Sequence, residues 1–223
     1  MAKCELFERH WKMENSEKLL STAMEALREA NVPDSEWDIG GGTVLAYYLS
    51  HRYSKDIDIF IADIQYMSAL SPRFNNYTET ALDYDEETNF ISLTYEEGKI
   101  DFIVSGQLTQ YAPKKEIFFN HRVFLENPVE IIVKKMFYRG GDVLPRDIFD
   151  MACVYQSSWR ENLLHALRRY SEKWDVFKEN FMNQRIQLID YSYGKVFPQN
   201  IYEGGKCING HEVAIIEDLI QKV

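Results

Sequence analysis

The spacing of apolar residues changes at Asn127, and that change constrains the fold more than any other feature. Before it, short runs alternate apolar and polar residues, the two-residue period of a half-buried strand. Trp37–Ile39, Asp56–Ile61, Asn89–Tyr95, Lys99–Ser105, Glu116–Asn120 and Arg122–Glu126 read this way, and Glu96 to Gly98 makes a hairpin of the third and fourth. Residues 15–31 place Leu19, Leu20, Ala23, Met24 and Leu27 at helical spacing, and Asn31 to Asp34 ends that helix. Thr43 to Ser50 reads as a buried helix, 64–70 as a short one, and the acidic stretch 79–88 as an exposed loop. From Asn127 the period becomes helical. Asn127 can cap, Pro128 suits a first turn, Glu130 completes a capping box, and Gly140 and Gly141 end the helix near Arg139. Further helices are expected at about 145–157, 159–170, 172–191 and 211–222, with Gly204-Gly205 and Asn209-Gly210 in loops. The expectation is an α+β chain. A small mixed sheet flanked by helices spans 1–126, and a C-terminal helical bundle spans 127–223.

The chain has 223 residues, of which 45% are hydrophobic and 14% aromatic, enough to bury a core. No apolar run is long enough to span a bilayer, and charges interrupt the N-terminal stretch, so neither a membrane span nor a secretory signal is expected. Cys4, Cys153 and Cys207 are scattered and odd in number, which fits a reducing, cytoplasmic compartment. Residues 1–113 carry 20 acids and 9 bases, a balance of −11; 114–146 carry 7 bases and 4 acids, +3; 147–223 carry 11 acids and 9 bases, −2. An acidic total argues against a general nucleic-acid binder. It leaves room for one local basic surface built from Lys114, Lys115, Arg122, Lys134, Lys135, Arg139 and Arg146, which read equally as solvated cations.

Two short motifs carry chemistry. Gly40, Gly41 and Gly42 join a strand to a helix, where backbone N–H groups and the helix N-terminus favour an anion. Leu45 stands where a dinucleotide fingerprint needs a small residue, and no Gly-Lys-Ser/Thr follows, so neither that fingerprint nor a P-loop is present. Alone, the glycines read as a tight turn. Asp56 and Asp58 are two residues apart on a strand and project together, which suits a hard divalent cation such as magnesium; alone, they read as a wet strand face. Asp101 stands inside an apolar run on a second strand. Three carboxylates can hold two metal ions for phosphoryl transfer.

The string from Gly41-Gly42-Thr43, through twelve residues, to Asp56-Ile57-Asp58 resembles the signature of polymerase-beta-like nucleotidyltransferases. In detail it is similar to the abortive-infection nucleotidyltransferases of the AbiEii type. A second stretch, Asn127-Pro128 through Lys134-Lys135-Met136 to Arg146-Asp147 and Asp150, resembles that family's later motif. The resemblance implies transfer of a nucleoside monophosphate from a nucleoside triphosphate, with two magnesium ions. It implies that Gly41, Gly42 and Thr43 hold the triphosphate, that Asp56 and Asp58 bind metal, and that Asp101 is the third acid and the base. Lys134 or Lys135 would neutralise phosphate, with Lys134 standing where the family often has Glu, and Asp147 or Asp150 would organise the helical side. It implies a toxin of a toxin–antitoxin or phage-defence system, with an RNA acceptor and an antitoxin partner. Two rivals stand beside it: an antibiotic-modifying nucleotidyltransferase, favoured by the overall acidity, and an inactive, protein-binding relic of the fold.

Other residues have plainer readings. Lys99 lies two residues before Asp101 and can pair with it. His51 and Arg52 close the first short helix and complement its dipole, and Arg52 can also lock the acid-bearing strand through a carboxylate. Ser54 lacks the neighbours a nucleophile needs. Phe118-Phe119 and Tyr191 with Tyr193 read as core.

Overall fold

The structure, a computed structural model, describes residues 2–190, 201, 203–206 and 208–223. The chain divides into two compact units. The first holds residues 1–43, 54–106 and 113–126; the second holds 44–53, 107–112 and 127–223.

The first unit is a seven-stranded sheet with a long helix. The strands are β1 (Trp37–Gly40), β2 (Ile57–Ile61), β3 (Asp83–Glu87), β4 (Phe90–Thr94), β5 (Lys99–Val104), β6 (Lys114–Phe118) and β7 (His121–Leu125), in the spatial order β3-β4-β5-β2-β1-β7-β6. β2 runs parallel to β5 and β1 to β7; the other pairs are antiparallel, so the sheet is mixed. Strict alternation gives the sheet one apolar face. Ile57, Ile59, Ile61, Leu93 and Phe102 are fully buried, and Ile91 and Ile100 nearly so, and the register makes them neighbours. α1 (Ala2–Glu29) packs on β2 and β5 and buries Leu19, Leu20, Ala23, Ala26 and Leu27. Each large apolar side chain contributes on the order of 2 kcal/mol on leaving water. The loop after α1 turns at Asn31, whose φ of 55° is the left-handed conformation that Asn tolerates. The β6–β7 hairpin turns on Phe119 and Asn120, both at positive φ, as a two-residue turn of this hand requires.

α2 (Gly41–Leu49) follows β1 directly. A 3-10 turn (Ile64–Tyr66) leads into the single-turn helix α3 (Met67–Leu70) in the stretch expected to be helical.

The second unit is mainly helical: α4 (Pro128–Arg139), α5 (Pro145–Tyr155), α6 (Arg160–Arg168), α7 (Ser171–Asp190), α8 (Glu203–Lys206) and α9 (Glu212–Lys222). The Asn127 side chain accepts from the Val129 N–H at 2.9 Å, and Pro128 occupies the first turn. α5 and α9 are clamped by a polar knot: the Tyr155 hydroxyl donates to Asp218, and Arg160 stacks over the Tyr155 ring and donates to its oxygen.

Three expectations are corrected. Residues 83–87 are not loop but the edge strand β3, paired with β4. Asp83, Asp85 and Glu87 stay exposed, so the strand shows no apolar alternation, and its charges suit an edge that must not recruit another strand. Glu130 does not close a capping box; its carboxylate accepts from the Leu108 and Thr109 N–H groups, each at 2.7 Å, and pins residues 107–112 to α4. Gly204 and Gly205 lie in α8, not a loop. A side chain at 205 would meet the His51 carbonyl oxygen at 2.2 Å, so the glycine is there for close packing. Tyr191 and Tyr193, expected in the core, lie outside the described residues.

Candidate functional site

The face of the sheet opposite the apolar one carries a row of polar positions. Register places Gly40 beside Asp58, Asp58 beside Asp101, and Asp101 beside Ser92. The row therefore crosses β1, β2, β5 and β4. On neighbouring strands such side chains stand about 5 Å apart.

A different element holds each of the three expected acids. Asp58 lies against Gly41: a Cβ there would come within 1.8 Å of the Asp58 Oδ2, and Gly41 has a φ of 69°. The glycine run thus makes room for the aspartate it precedes. Asp101 accepts from the Ser92 hydroxyl at 2.5 Å. Asp56 stands one residue before β2, and its Oδ1 accepts from the Lys99 backbone N–H at 3.0 Å. The structure thus makes neighbours of Asp58 and Asp101, while Asp56 braces the start of β5. Among the described residues, no three His, Cys, Asp or Glu side chains converge closely enough to hold a metal ion. Two carboxylates still fit magnesium, which keeps several waters and is commonly held by one or two carboxylates together with substrate phosphates.

The glycine turn differs from expectation in one part. The Thr43 hydroxyl donates to the Asp56 carbonyl oxygen at 2.5 Å, so it ties the helix start to the strand start. Gly40 leaves no room for a side chain. A Cβ there would meet Glu126 Oε2 at 2.1 Å and the Phe60 ring at 2.6 Å. Glu126, 1% exposed, follows β7, and its N–H donates to the Ile39 carbonyl. Sequence reasoning misses both Ser92 and Glu126. Nothing local marks Ser92, since its partner is nine residues away, and Glu126 reads only as the end of a strand.

The second unit holds another carboxylate cluster. Asp150, fully buried, accepts from Arg52 Nε at 2.5 Å and Arg52 Nη2 at 2.7 Å, from Lys135 Nζ at 2.9 Å, and pairs with His51 Nε2 at 2.8 Å. Lys135 also donates to Asp147, which faces Arg139 at 3.8 Å. Burial works against the Asp150 charge, but the Arg52 and Lys135 cations and the bonds from Arg52 and His51 outweigh it and hold the carboxyl well below the usual range. Burial lowers the His51 pKa against the pull of Asp150. Of the two candidate lysines, Lys135 is thus bound into this hub; Lys134, buried, has Nζ 3.9 Å from Glu130 Oε1. Arg52 does lock a carboxylate, but that of Asp150 in α5 and not one on the strand that carries Asp56 and Asp58.

Among the described residues, no helix is long and apolar enough to cross a membrane. The family model for "Nucleotidyl transferase AbiEii toxin, Type IV TA system" matches residues 23–192. No curated protein matches the chain. Solved structures similar to the chain include the following three. One is an H. pylori protein described as a candidate nucleotidyltransferase (15% identity, 94% of this chain and 95% of that one, TM-score 0.48). Another is MenT4, a nucleotidyltransferase toxin of Mycobacterium tuberculosis H37Rv (12% identity, 96% and 87%, TM-score 0.47). The third is the antibiotic-resistance factor ANT(2'')-Ia (16% identity, 80% and 97%, TM-score 0.43).

Proposed function

The chain belongs to the AbiEii family of nucleotidyltransferases, and on that premise we propose that it transfers a nucleoside monophosphate from a nucleoside triphosphate to RNA, as the toxin of a toxin–antitoxin pair. One observation carries the reading: Asp58 and Asp101 are register neighbours on β2 and β5, with the glycine turn packed against Asp58. Acids side by side in that position favour a cation between them and the phosphates of a bound nucleotide. The residues for magnesium are Asp58 and Asp101, with Asp56 bracing the strand. When bound, magnesium supplies charge neutralisation for the triphosphate and polarises its oxygens. The N–H groups at the start of α2 offer hydrogen bonds to the triphosphate, and the dipole of α2 favours its charge. Ser92 keeps the Asp101 carboxylate oriented. The Asp150 hub, with Lys135 and Asp147, holds the helical unit in shape.

The test is a transfer assay with magnesium, each α-labelled nucleoside triphosphate, and either cellular RNA or an aminoglycoside. Label on RNA is the expected result. Label on the drug alone would move the chain to the antibiotic-modifying reading. No transfer to either, with no magnesium-dependent nucleotide binding, would leave the protein-binding relic. An antitoxin is tested separately, by rescue of growth in cells that express the chain.

A further inference from the structure

Of the seven bases between 114 and 146, the structure withdraws several from any open basic surface. Lys134 is buried, Lys135 is bound into the Asp150 hub, and Arg139 faces Asp147. In the sheet unit, Lys115 and Arg122 remain exposed, and among the described residues neither has an acidic partner. Of the other cations of that unit, Lys18 pairs with Glu97, Arg28 with Glu25 and Arg73 with Glu86, while Lys55, Lys99 and Lys114 are exposed as well.

Their position matters as much as their charge. Lys115 is opposite Phe124, and Ile117 is opposite Arg122. Ile39 pairs with Leu125 on the apolar face, so Phe124 and Arg122 share the other face with Gly40, and Gly40 is beside Asp58. Lys115, Ile117, Arg122 and Phe124 therefore stand on the same side of the sheet as Asp58 and Asp101. At a strand spacing near 4.8 Å, β7 and β6 lie about 10 and 14 Å from β2 across the sheet. Ile117, between Glu116 and Phe118, is 70% exposed, and Lys115 Nζ lies 5.2 Å from the centre of the Phe124 ring. Two such cations interleaved with apolar groups form a surface that takes phosphates and bases together. The hairpin is also held in place: His121 shares a hydrogen bond with Ser21, and Asn120 donates to Glu17, both on α1.

We propose that this face of the β6–β7 hairpin is the landing surface for the acceptor RNA, with Lys115 and Arg122 on its phosphates and Ile117 and Phe124 against its bases. The inference rests on the RNA-acceptor reading above. A second copy of the chain is the competing occupant, because β3, at the far edge of the same sheet, carries Asp83, Asp85, Glu86 and Glu87. The cations favour RNA: they project from the face shared with the aspartates and do not extend the sheet edge.

The test measures binding of a fluorescein-labelled RNA hairpin with a single-stranded tail over a range of salt. It compares wild type, the double variant Lys115→Glu/Arg122→Glu, and the control Arg28→Glu/Arg73→Glu, which changes net charge equally. The hairpin variant is expected to bind at least about tenfold more weakly, with a salt slope smaller by about 2, one for each cation taken away from a phosphate. The control changes far less, and the hairpin variant keeps its magnesium-dependent nucleotide binding. Equal losses in both variants overturn the surface and leave the RNA reading standing. If wild type binds no RNA yet transfers to a small acceptor, the RNA reading itself fails, and the surface with it. Loss of salt-dependent self-association in sedimentation, with RNA binding intact, assigns the face to a second copy and also overturns the proposal.

Discussion

Asp58 and Asp150 are both aspartates, one in the sheet unit and one in the helical unit, and their surroundings follow opposite plans. Asp150 is enclosed by a bidentate guanidinium, an ammonium and an imidazole. Such a hub cancels charge inside the protein, so removing one partner leaves the others stranded. In the sheet row Gly41 lies against Asp58, the Ser92 hydroxyl donates to Asp101, and the Lys99 N–H donates to Asp56. Contacts of this kind fix where a carboxylate stands, which on the reading proposed above suits a site for a cation and a triphosphate. On the reading proposed above, Asp150 serves stability and Asp58 serves chemistry, although both stand in the two sequence motifs.

The sharpest test removes each acid in turn. Asp58→Asn is expected to lower nucleotidyl transfer by about a thousandfold, about 4 kcal/mol of transition-state stabilisation, while the urea midpoint stays at the wild-type value. Asp150→Ala is expected to cost about 3–5 kcal/mol of stability, because buried Arg52 then loses its acid and Lys135 keeps only Asp147. Urea unfolding followed by circular dichroism reads both. An Asp58 variant that unfolds easily, or an Asp150 variant as stable as wild type, would break the contrast.

Two smaller changes sharpen it within the row. Gly41→Ala puts a Cβ where Asp58 Oδ2 lies and forces a left-handed φ on alanine, worth roughly 1–2 kcal/mol from the backbone alone. Transfer should fall by about tenfold or more through displacement of Asp58, and a crystal structure of the variant would show that shift. Ser92→Ala removes a hydrogen bond to a charged acceptor, worth roughly 1.5–3 kcal/mol. Its transfer should fall by about tenfold, with a higher magnesium requirement in calorimetry. Ser92→Thr should restore both, since it keeps the hydroxyl and suits a strand.

The fold is largely legible because its signals are local. The switch of period at Asn127 and the cap at its side chain are written in adjacent residues. So are Asp56 to Ile61, whose alternation marks β2, and the glycines before α2. What is not legible is pairing across distance. β3 looks like loop because an edge strand with acids on both faces has no apolar period; only its register with β4 reveals it. Ser92 joins the candidate site by lying opposite Asp101, and Arg52 meets Asp150 across 98 residues. The Glu130 capping box fails for the same reason: residues 107–112 offer N–H groups that the local pattern cannot foresee.

The hub also predicts a pH dependence of stability. Buried His51 has its pKa lowered by burial, so it stays neutral in the folded protein where an exposed histidine takes a proton. The unfolded chain binds that proton near pH 6.5. As pH falls below about 6.5 the unfolded state therefore gains protons that the folded state refuses, and stability declines until the lower folded pKa is reached. Asp150 works in the other range. Its folded pKa lies below the unfolded value near 3.9, so its contribution is present above about pH 4 and is lost as pH falls through the folded value. The hub therefore weakens in two steps on acidification, first through His51 and then through Asp150. His51→Gln, whose amide can still donate to Asp150, should flatten the first step and leave the second. Urea midpoints measured between pH 7.5 and pH 5, taken as roughly one pH unit either side of the unfolded histidine value, check it. An unchanged slope in the variant would place the first step on another histidine and leave His51 as packing alone.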